Sequence, residues 1–261
     1  MSDTTPERLY HYTSLSSLAY ILDSRKIRFT RLDQLDDVLE AQKIERFNFG
    51  EVLYASSWVA HAEEAYPQWS MYGDAMRGVR ISLPYHPFDW HNYIPVEGDL
   101  ANETVVPMPM DEAIGEDFKI VPFLSKEDIC RPVTYVADVA ETWRKSIWID
   151  GARLVCDDPR VLASYKSNRW EFQKEHRFVL QIHGRLRSND RSFVAGMLSP
   201  NFIHFDVPIS DEAFRKMEVT MGPLRSPADL LMADALLKKY APEARLSESS
   251  LLGEIRPKMS K

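Results

Sequence analysis

The sequence predicts an α+β fold: a central sheet, largely antiparallel or split, with helices packed around it. Two observations carry that expectation. Short β-prone runs recur from residue 8 to residue 221, and stretches of helical periodicity with capping signals stand between and after them. A third concerns organisation. No run rich in Gly, Ser or Pro divides the 261 residues, so a single domain over 1–261 is expected.

Arg8-Leu9-Tyr10-His11-Tyr12-Thr13 is the first β-prone run. Thr13 or Ser14 can cap a following helix, in which Leu15, Leu18, Ile21 and Leu22 form an apolar stripe. Lys26 to Thr30 alternates like a half-buried strand, and the acid-rich segment from Arg31 to Glu40 suits a loop or an exposed turn. Val52 to Trp58 reads as a strand. Tyr66 to Asp74 reads as a short helix, with Pro67 near its start, Gly73 near its stop, and Trp69 and Tyr72 as neighbours on one face. Gly78 to Leu83 alternates again.

From Pro84 to Ser125 the prolines and scattered acids predict loops and an insertion. Arg131 to Val136 is the next strand, Asp138 to Trp148 and Pro159 to Arg169 are expected to be helical, and Trp170 to Ile182 is a strand. Phe193-Val194-Ala195, Ile203 to Val207 and Met217 to Met221 are β-prone. The last helix starts with Ser226 as cap and Pro227 at its first position, and Leu230, Leu231, Ala233, Leu236, Leu237 and Tyr240 suit a core-facing stripe.

Composition narrows the function. Hydrophobic content of 44% suits a folded core, and a net charge of -7 gives no global basic footprint for nucleic acid. Met1 to Glu7 lacks an apolar signal segment, and no apolar run approaches the ~18 residues a membrane span needs, so a cytoplasmic protein is expected. Cys130 and Cys156 have neither metal-ligand nor disulfide spacing. His86, Asp89 and His91 form a single proline-broken cluster that does not amount to a metal site. A Gly-rich phosphate loop and a nucleophile elbow are both missing from the sequence.

Chemistry concentrates in Trp170 to Leu180. As a strand it would align Gln173, Glu175 and Arg177 on one face, an amide and a guanidinium flanking a carboxylate. Plainer readings stand beside this one: a solvated strand end, or a Glu175–Arg177 ion pair that fixes register. Arg177 could equally pair with Glu40 or Asp37 as a clamp.

Taken together, Leu9-Tyr10-His11-Tyr12-Thr13, Ile27-Arg28-Phe29, Asp36-Asp37 with Glu40, Ser56-Ser57-Trp58, Trp69 to Asp74 with Gly78-Val79, and Lys166, Trp170, Glu175 and Arg177 resemble a bacterial domain-of-unknown-function family, DUF twenty-nine seventy-one. The resemblance runs from about residue 9 to about residue 182, with the remaining strands and helix, 183–261, expected to pack on that core. This chain departs from the family at Gln173, where an acid is usual.

The opening Tyr-His-Tyr-Thr and its helix are also similar to ADP-ribosyltransferase-like folds. That similarity implies NAD as substrate, with a nucleic acid or protein as acceptor, in a toxin or phage-defence setting. It implies His11, Tyr12, Thr13, Tyr54, Ser56, Tyr72 and Arg177 as NAD-binding residues and Glu175 with Gln173 as the catalytic pair. Cleaving nicotinamide from ribose leaves positive charge on the sugar, which a fixed carboxylate stabilises. From another class, the same residues suit a catalytically silent module binding a nucleotide or a protein. In that reading His11 is a core histidine, and Trp69 and Tyr72 are core aromatics.

Overall fold

A computed structural model describes residues 5–44, 47–95, 103–150, 153–156, 158–184 and 198–256. It is a mixed α/β fold with a large mixed sheet and several helices. Among the described residues the sheet has ten strands: β1 (Arg8–Thr13), β2 (Lys26–Arg31), β3 (Leu53–Val59), β4 (Val79–Pro84), β5 (Phe118–Ile120), β6 (Cys130–Pro132), β7 (Glu175–Gly184), β8 (His204–Pro208), β9 (Glu218–Met221) and β10 (Arg245–Glu248). The main helices are α1 (Leu15–Ser24), α2 (Tyr66–Met71), α3 (Val139–Ser146), α4 (Asp211–Arg215) and α5 (Pro227–Tyr240). The chain falls into two compact units made of interleaved segments. Unit 1 holds Met1–Ile27, Trp58–Phe88 and Pro208–Lys261, and unit 2 holds Arg28–Ser57 and Asp89–Val207.

In unit 1, β1 runs antiparallel to β4 along its whole length, β4 is antiparallel to β9, and β9 is parallel to β10. The parallel pair exists because α5 carries the chain back to the starting end of the sheet. The register sets the faces: His11, Ile81 and Val219 form one row across the strands, and Tyr12, Arg80 and Thr220 form the next, on the opposite face. Ser14 caps α1, its hydroxyl accepting from the Ser17 N–H at 3.0 Å. At the start of α5, Ser226 and Asp229 form a reciprocal capping box.

Unit 2 is organised on β7, ten residues long, which lies between β6 and β3 and takes β5 at its far end. Thr30 and Arg31 of β2 pair with Ala55 and Tyr54 of β3, and β8 pairs with β2. Trp143, Val139 and Ile147 bury the apolar face of α3 and its end against Phe49, Leu53, Leu162 and Val179.

Several expectations need correction. The large sheet is mixed: among its described registers β9–β10 is parallel and the others are antiparallel, as expected, while the parallel pair Thr134–Val136 with Tyr165–Ser167 forms a separate two-stranded sheet. Arg131 to Val136 is two strands: past Val133, whose N–H still donates to the Glu175 carbonyl, the chain leaves β7 to pair elsewhere. Pro159 to Arg169 is not one helix but a 3₁₀ turn, the strand Tyr165–Ser167 and a second 3₁₀ turn, so tertiary pairing overrides helical propensity. The Asp138 helix stops at Ser146, because Trp148 begins a hairpin strand. On α5, Leu231 is 69% exposed, as five apolar side chains cover more than one helical face. Phe193-Val194-Ala195 lies outside the described residues.

Candidate functional site

Lys174 sets the start of the focal strand. Its backbone is left-handed, φ 46°, which ends the 3₁₀ turn Asn168–Gln173 and begins β7 at Glu175. The expected alternation therefore does not extend to Gln173, which is buried in the turn. Glu175 and Arg177 do share a face. They are 5% and 1% exposed.

Four charged side chains meet there. Arg177 donates to Glu175 from Nε to Oε1 at 2.6 Å and from Nη2 to Oε2 at 3.2 Å. Its Nη1 donates to the Ala163 carbonyl at 2.7 Å and also to the Glu40 carboxylate. Lys166 Nζ lies 3.1 Å from Glu40 Oε1, 3.3 Å from Glu175 Oε2 and 3.8 Å from Asp36 Oδ1, above the Trp170 ring at 5.0 Å from its centre. Two buried cations thus face two buried carboxylates, the balance that makes such burial tolerable. The Ser57 side chain also bonds Glu175, and the Glu175 backbone N–H donates to the Tyr135 hydroxyl at 2.9 Å.

The electrostatics follow the contacts. Burial opposes ionisation of Glu175, but the charges of Arg177 and then Lys166 outweigh it and hold the carboxyl at about 2. Burial likewise opposes the Arg177 charge, and Glu175 and Glu40 reverse that and raise it. Burial pushes the Tyr135 phenol up to about 12. The space around the Glu175 carboxylate is filled by the chain's own side chains.

The remaining expected ligands have other surroundings. Tyr54 and Ser56 share a face of β3 opposite to Ser57. Tyr54 is fully buried, donates to the Phe202 carbonyl at 2.6 Å, and burial pushes its phenol up to about 12. In unit 1, His11 stands beside Trp58, ring centres 5.0 Å apart, and alternation puts Thr13 on the same face. Tyr12 is on the other face. It meets Trp69 edge-on at 4.8 Å, and Tyr72 packs against the cluster these two form with Val59 and Met76. Arg80 covers the Tyr10 ring at 4.7 Å. So His11, Tyr12, Thr13 and Tyr72 belong to unit 1, while Tyr54, Ser56, Gln173, Glu175 and Arg177 belong to unit 2.

Lys166, Ser57 and Tyr135 complete the charged cluster; the first two are marked in the sequence only among the residues of the family resemblance, and Tyr135 has no sign of its own. Lys166 is expected on a helix, and a single hydroxyl carries no periodic signal. Glu40 has one, as the fourth acid of the Arg31–Glu40 segment. That segment turns at Asp37, whose carboxylate accepts from the Leu39 N–H at 3.0 Å, and it leaves Val38, 82% exposed, and Leu39 in solvent. Phe172, also exposed, pairs with Trp170 at 6.1 Å.

Among the described residues no group of three or more His, Cys, Asp or Glu could hold a metal ion, and no helix is long and apolar enough to cross a membrane. No family model, no curated protein and no solved structure matches the chain.

Proposed function

We propose that the chain is a catalytically silent binding module of a bacterial defence or toxin system, and that it recognises a protein partner. One observation carries this reading: both Glu175 oxygens are engaged, out of solvent, by Arg177 and Lys166. A carboxylate that stabilises a ribosyl cation has to face the sugar. Here it faces the chain's own cations, and a nicotinamide ribose would have to displace one of them. The side chains around Glu175 therefore do not fit NAD as they stand, and no step of glycosyl transfer follows from them.

What the cluster does well is hold two loops. Glu40 ties down the turn that carries Val38 and Leu39, and Lys166 lies over the Trp170 of the turn that carries Phe172. Apolar tips on loops whose bases are fixed lose little entropy on meeting a partner, which is what a recognition surface needs. The bacterial setting rests on the resemblance of residues 9–182, and the defence or toxin setting on the similarity of the opening Tyr-His-Tyr-Thr and its helix to ADP-ribosyltransferase-like folds.

The test is incubation with nicotinamide-labelled NAD of the wild-type chain, Glu175→Ala and His11→Ala. All three are expected to release nicotinamide no faster than buffer. Release by the wild type that Glu175→Ala abolishes would overturn the proposal in favour of an ADP-ribosyltransferase-like enzyme.

A further inference from the structure

Unit 1 carries a hollow of about 250 Å³, lined among others by Arg25, Asp211, Phe214, Arg215, Tyr240 and Glu243. It is smaller than the roughly 300–1,000 Å³ of sites for drug-sized ligands, so its occupant is small. Two cationic and two anionic side chains share the lining with two aromatic rings. The hollow also abuts the C-terminal end of α5, whose last carbonyls favour positive charge.

Arg25 is the residue to explain. It ends α1 in the left-handed region, φ 56°, with its N–H donating to the Ile21 carbonyl at 2.8 Å. Glycine is the usual residue at such a position, because a side chain there costs free energy. In return this chain gains a guanidinium lying over the Phe214 ring, 4.3 Å from its centre, and held by Asp211 through Nη2 to Oδ1 at 2.6 Å. Among the described residues that is the one hydrogen bond the guanidinium makes, so most of its planar fork remains for an anion. Asp211 keeps a second oxygen, and Glu243 supplies a second carboxylate, for a cation.

We propose that this hollow binds a small zwitterion, a free α-amino acid, with the ligand carboxylate on Arg25, its ammonium near Asp211 and Glu243, and its side chain against Tyr240. This site is separate from the charged cluster of unit 2, and its existence does not rest on the proposed function.

The test is calorimetric titration of the full chain with L-leucine and L-tyrosine, each to about 10 mM, beside N-acetyl-L-leucine and L-leucinamide. At least one free amino acid is expected to bind, with each capped analogue weaker by about tenfold or more, as loss of a charge-assisted hydrogen bond implies. Arg25→Gly suits the left-handed backbone, so it should keep the fold, checked by a urea midpoint no lower than wild type, while losing the preference for leucine over leucinamide. Binding of neither amino acid, capped analogues binding as well as free ones, or an unchanged preference in a folded Arg25→Gly would each overturn the proposal.

Discussion

Arg177 grips Glu175, two residues earlier on the same strand, through Nε to Oε1 at 2.6 Å and Nη2 to Oε2 at 3.2 Å. Residues two apart share a strand face, so the pair is built locally, and burial then gives it consequences far from β7. Through Glu40 and Lys166 the pair reaches the 31–40 segment and the strand Tyr165–Ser167.

Removing one member of this cluster should cost far more than a surface pair would. Arg177→Ala leaves Glu40 and Glu175 buried with a single cation between them. Breaking a buried pair in this way costs about 3–5 kcal/mol. Urea unfolding monitored by tryptophan fluorescence checks it. A loss below about 1 kcal/mol, the range of surface pairs, would show that the cluster does not hold the fold.

Acid should weaken the fold in two stages. Burial and Lys119 hold the His183 imidazole at about 4, below its ordinary 6.5, so the fold prefers it neutral. That contribution is complete above about pH 6.5 and is lost as pH falls through 4. Glu175, held at about 2 against an ordinary 4.5, contributes above pH 4.5 and loses its share as pH falls toward 2, on the order of 3 kcal/mol in all. His183→Asn should therefore flatten the decline between pH 6.5 and 4.5 and leave the lower stage. Unfolding free energies measured across a pH series separate the two.

Asp74, Ala75 and Met76 are successively left-handed, with φ of 49°, 50° and 72°, in a turn closed by Gly78 N–H to the Gly73 carbonyl at 2.8 Å. Left-handed backbone costs an L-residue about 1–2 kcal/mol. Ala75 is exposed, so Ala75→Gly should stabilise by about 0.5–1 kcal/mol and Ala75→Val should destabilise. Thermal midpoints of the two variants should move in opposite directions.

Gly78 enters β4 where a Cβ would collide with the Thr13 carbonyl and the Gly73 backbone. Backbone cannot swing aside as a side chain can. Gly78→Ala should cost about 1–3 kcal/mol, as overpacking does, measured by urea unfolding.

Much of the fold is legible where pattern and local chemistry agree. β1, α1, β2 and β4 follow from alternation and stripes, and Ser14 and Ser226 mark helix starts by the side chains that cap them. Legibility fails where tertiary contacts decide. Residues 159–169 have ordinary helical composition, and it is the pairing of Tyr165–Ser167 with Thr134–Val136 that divides them. Lys174 turns left-handed without the glycine that would announce it, which removes Gln173 from the row of Glu175 and Arg177. β10, four residues with charges at both ends, has no apolar run to reveal it and exists through its parallel pairing with β9. At the cluster, the alternatives for Arg177 included Glu40, and the two do pair. Lys166 as the second cation depends on a strand that the sequence disguises.

The central claim is that the Glu175 carboxylate is committed to the interior. Its ¹³C resonance, followed through an acid titration with and without NAD, tests this most directly. The account predicts a carboxylate that stays ionised throughout the folded range, with no change near pH 4.5 and none on adding NAD. Titration at or above the ordinary glutamate value, or a resonance that moves with NAD, would contradict it.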